Sequence, residues 1–337
     1  MISLRADADL TEYNSFGFPS CAEYLADVEC EEDLVDAVSF AKARQLPRWI
    51  IGGGSNLVLD TYIPGVVIKQ NTSGYSVLES DDASVLIQVA AGQNWHELVE
   101  QVVDQGWSGI ENLALIPGTV GAAPVQNIGA YGVELKDCFE SLRAFDTKTE
   151  TFVSLSREQC NFGYRDSLFK SGCPGRYLIV SVNLRLHKQF AAQVVYGALA
   201  DVLSGKALNP RAVFDAVVSM RKAKLPDPSK LGNAGSFFEN PLVREEVYAS
   251  LVEAHPGIVA FPDREGYVKL AAGWLIDNAG WKGAREGGVG VYEKQALVLV
   301  NHGEGTAADL KRLAGRVKSS VHEMYGVELV PEPRFYP

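Results

Sequence analysis

Apolar positions along the chain follow two periods, and they alternate in a way that points to an α/β protein. From Glu31 to Arg44 the apolar residues Leu34, Val35, Val38 and Ala41 recur at helical spacing, and Pro47 ends the run. Trp49-Ile50-Ile51 then reads as a short buried strand. Gly52-Gly53-Gly54-Ser55-Asn56 follows, and Leu57-Val58-Leu59 and Gly65 to Lys69 read as further strands. Helix, strand, glycine loop, strand is an α/β unit. Val85 to Ala90 is predicted as a strand and Trp95 to Val103 as a helix. Leu142 to Asp146, Phe152 to Leu155 and Leu178 to Leu186 are predicted as strands of a second α/β region.

Asn209-Pro210 is a helix start, an N-cap followed by proline at the first helical position, and Val213, Val217 and Met220 carry the period to Lys224. Leu225-Pro226-Asp227-Pro228 stops that helix and leads into a third region. Thr306 to Met324 carries the clearest amphipathic stripe: Leu310, Leu313, Ala314, Val317, Val321 and Met324. Thr306 with Asp309 forms a capping box at its start.

Composition narrows the function classes. The 337 residues are enough for two or three domains, and 47 % apolar with 22 % charged residues is the balance of a soluble globular protein. No apolar run approaches the ~18 residues of a membrane helix. The start of the chain lacks the pattern of a secretory signal, so a cytoplasmic protein is expected. A net charge of −11 argues against a nucleic-acid partner, which needs clustered Lys and Arg. It leaves room for a phosphorylated small molecule in a local basic pocket. The five cysteines are odd in number and hold no C-x-x-C pair. They read as free thiols, most of them filling the core. The five histidines show no metal-ligand spacing.

The candidate chemistry lies in the glycine loops. Three glycines directly after a strand allow a sharp turn, close approach of a ligand and a nest of backbone N–H groups for an anion such as a pyrophosphate. The loop is neither a P-loop nor a dinucleotide fingerprint, since Leu57 stands where a third glycine would fall. Alone it reads as a tight turn. The second segment, Ile116-Pro117-Gly118-Thr119-Val120-Gly121-Ala122-Ala123-Pro124-Val125-Gln126-Asn127-Ile128-Gly129-Ala130-Tyr131-Gly132, is too small in its side chains to build its own core. A flat aromatic ligand lying against backbone would fill that space, as would a packed helix.

In this order and separation the two loops resemble the FAD-binding half of the UDP-N-acetylenolpyruvoylglucosamine reductases, of the first structural subtype, within the wider p-cresol-methylhydroxylase-type flavoprotein fold. The resemblance covers nearly the whole chain. It implies noncovalent FAD, held by Gly52, Gly53, Gly54, Ser55, Asn56 and Leu57 at the pyrophosphate. Pro117, Gly118, Thr119, Gly121, Ala122, Gln126, Asn127, Gly129, Ala130 and Tyr131 would lie along the flavin.

Three further segments match the family: Gly163-Tyr164-Arg165-Asp166-Ser167, Gly232 to Pro241 around Ser236, and Pro331-Glu332-Pro333-Arg334-Phe335. They imply that NADPH, through FAD, reduces UDP-N-acetylglucosamine enolpyruvate to UDP-N-acetylmuramate for peptidoglycan synthesis. In that chemistry hydride reaches the alkene carbon remote from a carboxylate, and negative charge develops onto the carboxylate. Arg165 suits that charge because its planar fork matches a carboxylate. Glu332 would position the network or, if protonated, donate to the developing oxyanion, and Ser236 would supply the proton. Tyr164, Tyr196, Lys224, Asn240 and Lys282 match substrate contacts, whereas Trp274 and Trp281 read as core. A flavin oxidase of the same wider fold and a UDP-sugar-binding protein without flavin are the rival readings.

The expected architecture is a three-domain α/β flavoprotein. Residues 1–70 with 326–337 would form one half of the FAD-binding part, 71–220 the other, and 221–325 a C-terminal substrate-binding α/β domain. The expected state is a monomer without membrane insertion.

Overall fold

The computed structural model describes residues 2–194 and 197–337, which divide into two compact units. The first comprises residues 1–8, 22–54 and 64–223, and the second residues 9–21, 55–63 and 224–337.

Two sheets organise the first unit. One has four strands in the order Leu4–Asp9, Cys21–Val28, Tyr62–Gln70 and Arg48–Ile51, the last two running parallel. The other has five antiparallel strands in the order Thr151–Ser156, Phe139–Asp146, Tyr177–His187, Ser84–Ala90 and Tyr75–Ser80. The helix Glu31–Ala43 buries Leu34, Val38 and Ala41 as expected, with Ala37 in place of the half-buried Val35, against Val66 and Ile68 of the first sheet and Phe145, Leu178 and Val180 of the second. The neighbours Ala144 and Ile179 point the other way, into a core with the helices Trp95–Asp104 and Pro210–Lys224.

Strict alternation would turn Val182 and Leu184 toward the same side as Val180. They instead join Ile179. The pairing with the strand Phe139–Asp146 skips one residue there, and a bulge reverses which face is buried. The freed carbonyl of Val180 accepts from the Ala91 amide at 3.0 Å.

In the second unit the helix Ala307–Tyr325 lays Leu310, Leu313, Ala314, Val317 and Val321 into a core with Phe16, Phe18, Phe237 and Phe238. The capping box forms as expected: the Asp309 amide donates to the Thr306 hydroxyl at 3.2 Å, and the Thr306 amide to the Asp309 carboxylate at 3.0 Å. One sheet here holds Gly232–Ser236, Val298–Asn301, Val289–Val291 and Arg285–Glu286. The strand Arg334–Tyr336 runs parallel to Leu57–Leu59, pairing residues far apart in the chain. Trp274 and Trp281 pack against this core. Of the cysteines, all free, only Cys138 and Cys160 are buried; Cys30 is exposed, so core filling accounts for fewer than expected.

Among the described residues, no helix is long and apolar enough to cross a membrane.

Asp146 is buried beside Arg176, which donates to both carboxylate oxygens at 2.9 and 2.6 Å and holds its pKa at about 2. A carboxyl held below its unfolded value stabilises the fold above that value and loses the contribution as pH falls through the folded one. Stability should therefore decline between about pH 4 and pH 2. Asp146→Asn should be less stable at pH 7 and show a flatter decline across that window. Urea midpoints measured against pH check this.

Candidate active-site segments

The two glycine loops meet backbone to backbone in the first unit. A methyl group on Gly53 would lie 2.8 Å from the Gly118 Cα, and one on Gly52 2.4 Å from the Thr119 hydroxyl. On the far side of the second loop, a methyl group on Gly121 would lie 2.6 Å from the Ala91 side chain, the residue tied to the bulge at Val180. Val120, Ala123 and Ile128 sink into the first core, while Gly53, Pro117 and Ala122 stay exposed. The second loop thus turns its apolar side chains inward and its small residues outward. Gly54 adopts φ +66°, and among the described residues the Gly53 and Gly54 amides donate no hydrogen bond. Unsatisfied amides around a left-handed glycine are the donor set that suits a phosphate.

Supporting side chains hold these loops. The His96 Nδ1 accepts from the amide of Leu115, a left-handed residue, and its ring stacks on Phe214. Burial lowers the His96 pKa, which favours the neutral form this bond requires. Asn127, also left-handed and fully buried, donates to the Gly163 carbonyl at 3.0 Å and to Glu134 at 3.1 Å, and accepts from the Lys136 amide at 3.0 Å. Its side chain joins the second loop to the turn that carries Tyr164 and Arg165. Asn112, which the sequence reading passed over, donates to the Tyr131 carbonyl at 3.0 Å and the Gln193 carbonyl at 2.7 Å. An asparagine between Glu111 and Leu113 carries no motif by which to find it.

Arg165 stands at φ +52° in the turn closed by Gly163 and Asp166. Its guanidinium donates to the Gly129 carbonyl at 2.8 Å and lies 5.5 Å from the Tyr164 ring centre. The Lys170 ammonium donates to the Arg165 carbonyl at 2.8 Å. A left-handed arginine is a strained conformation that its surroundings must enforce.

Ser236 and Glu332 come together in the second unit. Ser236 ends its strand opposite Val298, after Gly235 at φ +69°. The next two residues, Phe237 and Phe238, are buried anchors. Past them runs the C-terminal segment: the Glu332 amide donates to the Phe237 carbonyl at 2.9 Å, and the Glu239 amide to the Val330 carbonyl at 2.9 Å. The Ser236 hydroxyl is half-buried and makes no hydrogen bond to any described residue.

Asn56, in the first glycine loop by sequence, donates to the Glu332 carbonyl at 3.2 Å and accepts from the Arg334 amide at 3.0 Å. Leu57 is buried in the strand paired with Arg334. The Asn240 side chain accepts from the Ala272 amide at 2.9 Å at the start of the helix Ala272–Asn278. Lys282 is paired with Asp277 at 2.9 Å. Lys224 is exposed at the end of its helix, and Tyr196 lies outside the described residues.

Residues 22–156 match the family model of an FAD binding domain, and residues 227–336 match that of the UDP-N-acetylenolpyruvoylglucosamine reductase C-terminal domain. The UDP-N-acetylenolpyruvoylglucosamine reductase of Cupriavidus pinatubonensis is 49% identical, with 96% of each chain covered. That of Pseudomonas putida is 45% identical over 99% of each. This chain belongs to the UDP-N-acetylenolpyruvoylglucosamine reductase family. Among solved structures, the reductase of that name from Thermus caldophilus superposes with a TM-score of 0.70 at 26% identity, covering 100% of this chain and 99% of that one. A solvent-stable cholesterol oxidase, at 13% identity and a TM-score of 0.53, shares the fold alone.

Membership of this family implies FAD as the cofactor. Gly53→Ala should drive the two loops apart. The purified variant should carry less than a tenth of the wild-type flavin at similar yield, read as visible absorbance per protein. Full flavin occupancy would show that the contact tolerates a side chain.

Proposed function

We propose that this chain reduces UDP-N-acetylglucosamine enolpyruvate to UDP-N-acetylmuramate with NADPH, using noncovalently bound FAD, for peptidoglycan synthesis. Bound FAD supplies the hydride chemistry. The chain supplies binding, orientation, charge and a proton. Gly52, Gly53 and Gly54 with Ser55 and Asn56 would hold the pyrophosphate, and Pro117 to Tyr131 the flavin. Neither loop contains a Cys or His to tether it.

The observation that carries the reading is the pairing of the Ser236 strand end with Glu332. It brings residues with a hydroxyl and a carboxyl, 96 positions apart, onto adjacent backbone, and the hydroxyl makes no hydrogen bond among the described residues. A serine kept only for its turn would be expected to use its hydroxyl there. We assign Ser236 as the proton donor to the substrate carbon and Glu332 as the group that orients or neutralises the developing enediolate-like charge. Arg165, already held on the Gly129 carbonyl, opposes the charge growing on the substrate carboxylate. A preorganised cation needs little rearrangement as that charge appears.

Tyr164, Tyr196, Lys224, Asn240 and Lys282 are proposed substrate contacts. For Lys282 this requires exchanging Asp277 for the ligand, and for Asn240 it is the amide nitrogen that remains available. Residues 221–325 would carry much of the nucleotide sugar. The enzyme would work in the cytoplasm as a monomer.

Ser236→Ala separates the two half-reactions. Reduction of bound flavin by NADPH should proceed nearly as in wild type, while reoxidation by the enolpyruvyl substrate should slow by at least the ~10²–10⁴ typical of a lost acid or base. Ser236→Cys should recover part of that loss. Stopped-flow traces in which both steps slow alike, or neither does, reject the proton-donor role. Arg165→Lys keeps the charge but loses the fork, so reoxidation should fall by on the order of 10²-fold. Wild-type turnover in that variant would exclude bidentate binding.

A further inference from the structure

The start of the helix Trp95–Asp104 is bonded to the second glycine loop at several points. Ahead of the loop, the Trp95 indole donates to the Leu113 carbonyl at 3.0 Å, and the Leu115 amide donates to the His96 Nδ1 at 3.1 Å. Within the loop, the Trp95 amide donates to the Gly118 carbonyl at 3.0 Å, and the Val120 amide to the Gln93 carbonyl at 2.9 Å. Trp95 is buried, which fixes this end of the helix in the core. Leu115 stands at φ +57°, a backbone state that a leucine keeps only where its surroundings enforce it. The bond from its amide to His96 is such a restraint, and it acts one residue before Ile116-Pro117-Gly118. Of these contacts, the one on His96 alone depends on a group that titrates near neutral pH. A neutral imidazole nitrogen can accept from the Leu115 amide. A protonated one is a second donor facing that donor.

We propose that His96 is a positioning residue for bound FAD: its neutral ring holds Leu115 in the left-handed turn and thereby sets the backbone of residues 116–121 along which the flavin lies. This rests on the assignment of the second loop to the flavin made above. The ring is stacked on Phe214 of the helix Pro210–Lys224, with centres 5.4 Å apart and planes 9° from parallel. The charges around it oppose one another. Burial is the largest influence and disfavours the imidazolium, as do Lys222 and Arg221 on the helix of Phe214, whereas Glu100 and Glu97 on its own helix favour it. The Arg211 guanidinium, 4.7 Å from the Phe214 ring centre, is paired with Asp104. Residues 113–116 carry no charge. The net effect lowers the His96 pKa from 6.5. A group whose pKa is depressed in the closed arrangement supports that arrangement fully above its ordinary value and loses the contribution as pH falls through the depressed one. The flavin site therefore loosens in mild acid, well above the range in which Asp146 titrates. The alternative is that His96 serves packing alone, through its stack on Phe214, and its nitrogen is incidental.

The test uses the full-length, FAD-loaded protein as wild type, His96→Phe, His96→Asn and Gly121→Val. Phenylalanine keeps the stack and removes the acceptor. Asparagine places an acceptor oxygen near the Nδ1 position and does not titrate. Two readouts are taken without turnover between about pH 8 and about pH 5, a range that brackets an ordinary histidine. One is the Kd of FAD, from flavin fluorescence released on dilution. The other is the protection of the Leu115 amide against deuterium exchange. In wild type, Kd should be level above about pH 7 and rise roughly tenfold by about pH 5, as one bond is replaced by two opposed donors. His96→Phe should bind FAD at least about fivefold more weakly already at about pH 8 and show no further acid step. His96→Asn should stay within about threefold of wild type at about pH 8 and also lose the acid step. Leu115 protection should follow the same pattern. Wild-type affinity in His96→Phe, with or without a loss of Leu115 protection, overturns the proposal, as does a full acid step in His96→Asn. Should His96→Phe fail to fold, the presence or absence of that step in His96→Asn decides alone. Gly121→Val separates the levels, because its Cβ would lie 2.6 Å from the Ala91 side chain and displace the loop without touching His96. If it weakens FAD binding and the His96 variants do not, only the role of His96 is rejected. If neither weakens it, the assignment of the loop to the flavin fails as well.

Discussion

At Gly53 a methyl group would sit 2.8 Å from the Cα of Gly118, closer than carbon atoms can stand without displacement. This contact between two stretches of bare backbone governs the rest of the first unit. It requires glycine at position 53, and a φ of +115° favours glycine at position 118. It also requires a platform that holds the second loop from behind, which Val120, Ala123 and Ile128 supply from the core and Ala91 supplies through Gly121. Ala91 is in turn placed by the bulge at Val180, which breaks the alternation of a long central strand. A strand irregularity, a tight packing contact and a set of free amides are thus one chain of cause, ending in a surface of backbone donors suited to a phosphate.

The second unit solves a different problem. Serine is a weak acid and an unremarkable turn residue, and its use depends on what stands beside it. Buried Phe237 and Phe238 leave the strand end no freedom to drift, while hydrogen bonds on either side of them bring in the C-terminal segment with Glu332. The parallel pairing of Arg334–Tyr336 with Leu57–Leu59 completes the anchoring, so the last residues of the chain are part of the core structure rather than a loose tail. Asn56 contributes by bonding the backbone on both sides of Pro333.

Charge is distributed to match. Asp146 is paired on both oxygens by two nitrogens of Arg176. The buried Arg221 Nε has no hydrogen-bond partner among the described residues, and Arg165 donates to the Gly129 carbonyl.

Much of this was legible in the order of residues alone. Helix Glu31–Ala43, the capping box at Thr306 and the strands around the first glycine loop follow from local periodicity and capping chemistry, which act over a few residues and need no partner. Family membership was legible for a related reason: loops whose backbone must meet a ligand tolerate few residue types, so the glycine pattern survives as text. What the tertiary structure alone decided concerns contacts between distant residues. Nothing near Asn112 in the sequence marks it, because an asparagine bridging two carbonyls is defined by neighbours 19 and 81 positions away. The bulge at Val180 is equally invisible, since one extra residue changes no composition and only pairing reveals which face it turns. The approach of Glu332 to Ser236 required the C-terminal strand to find Leu57, a long-range pairing that local propensity cannot specify.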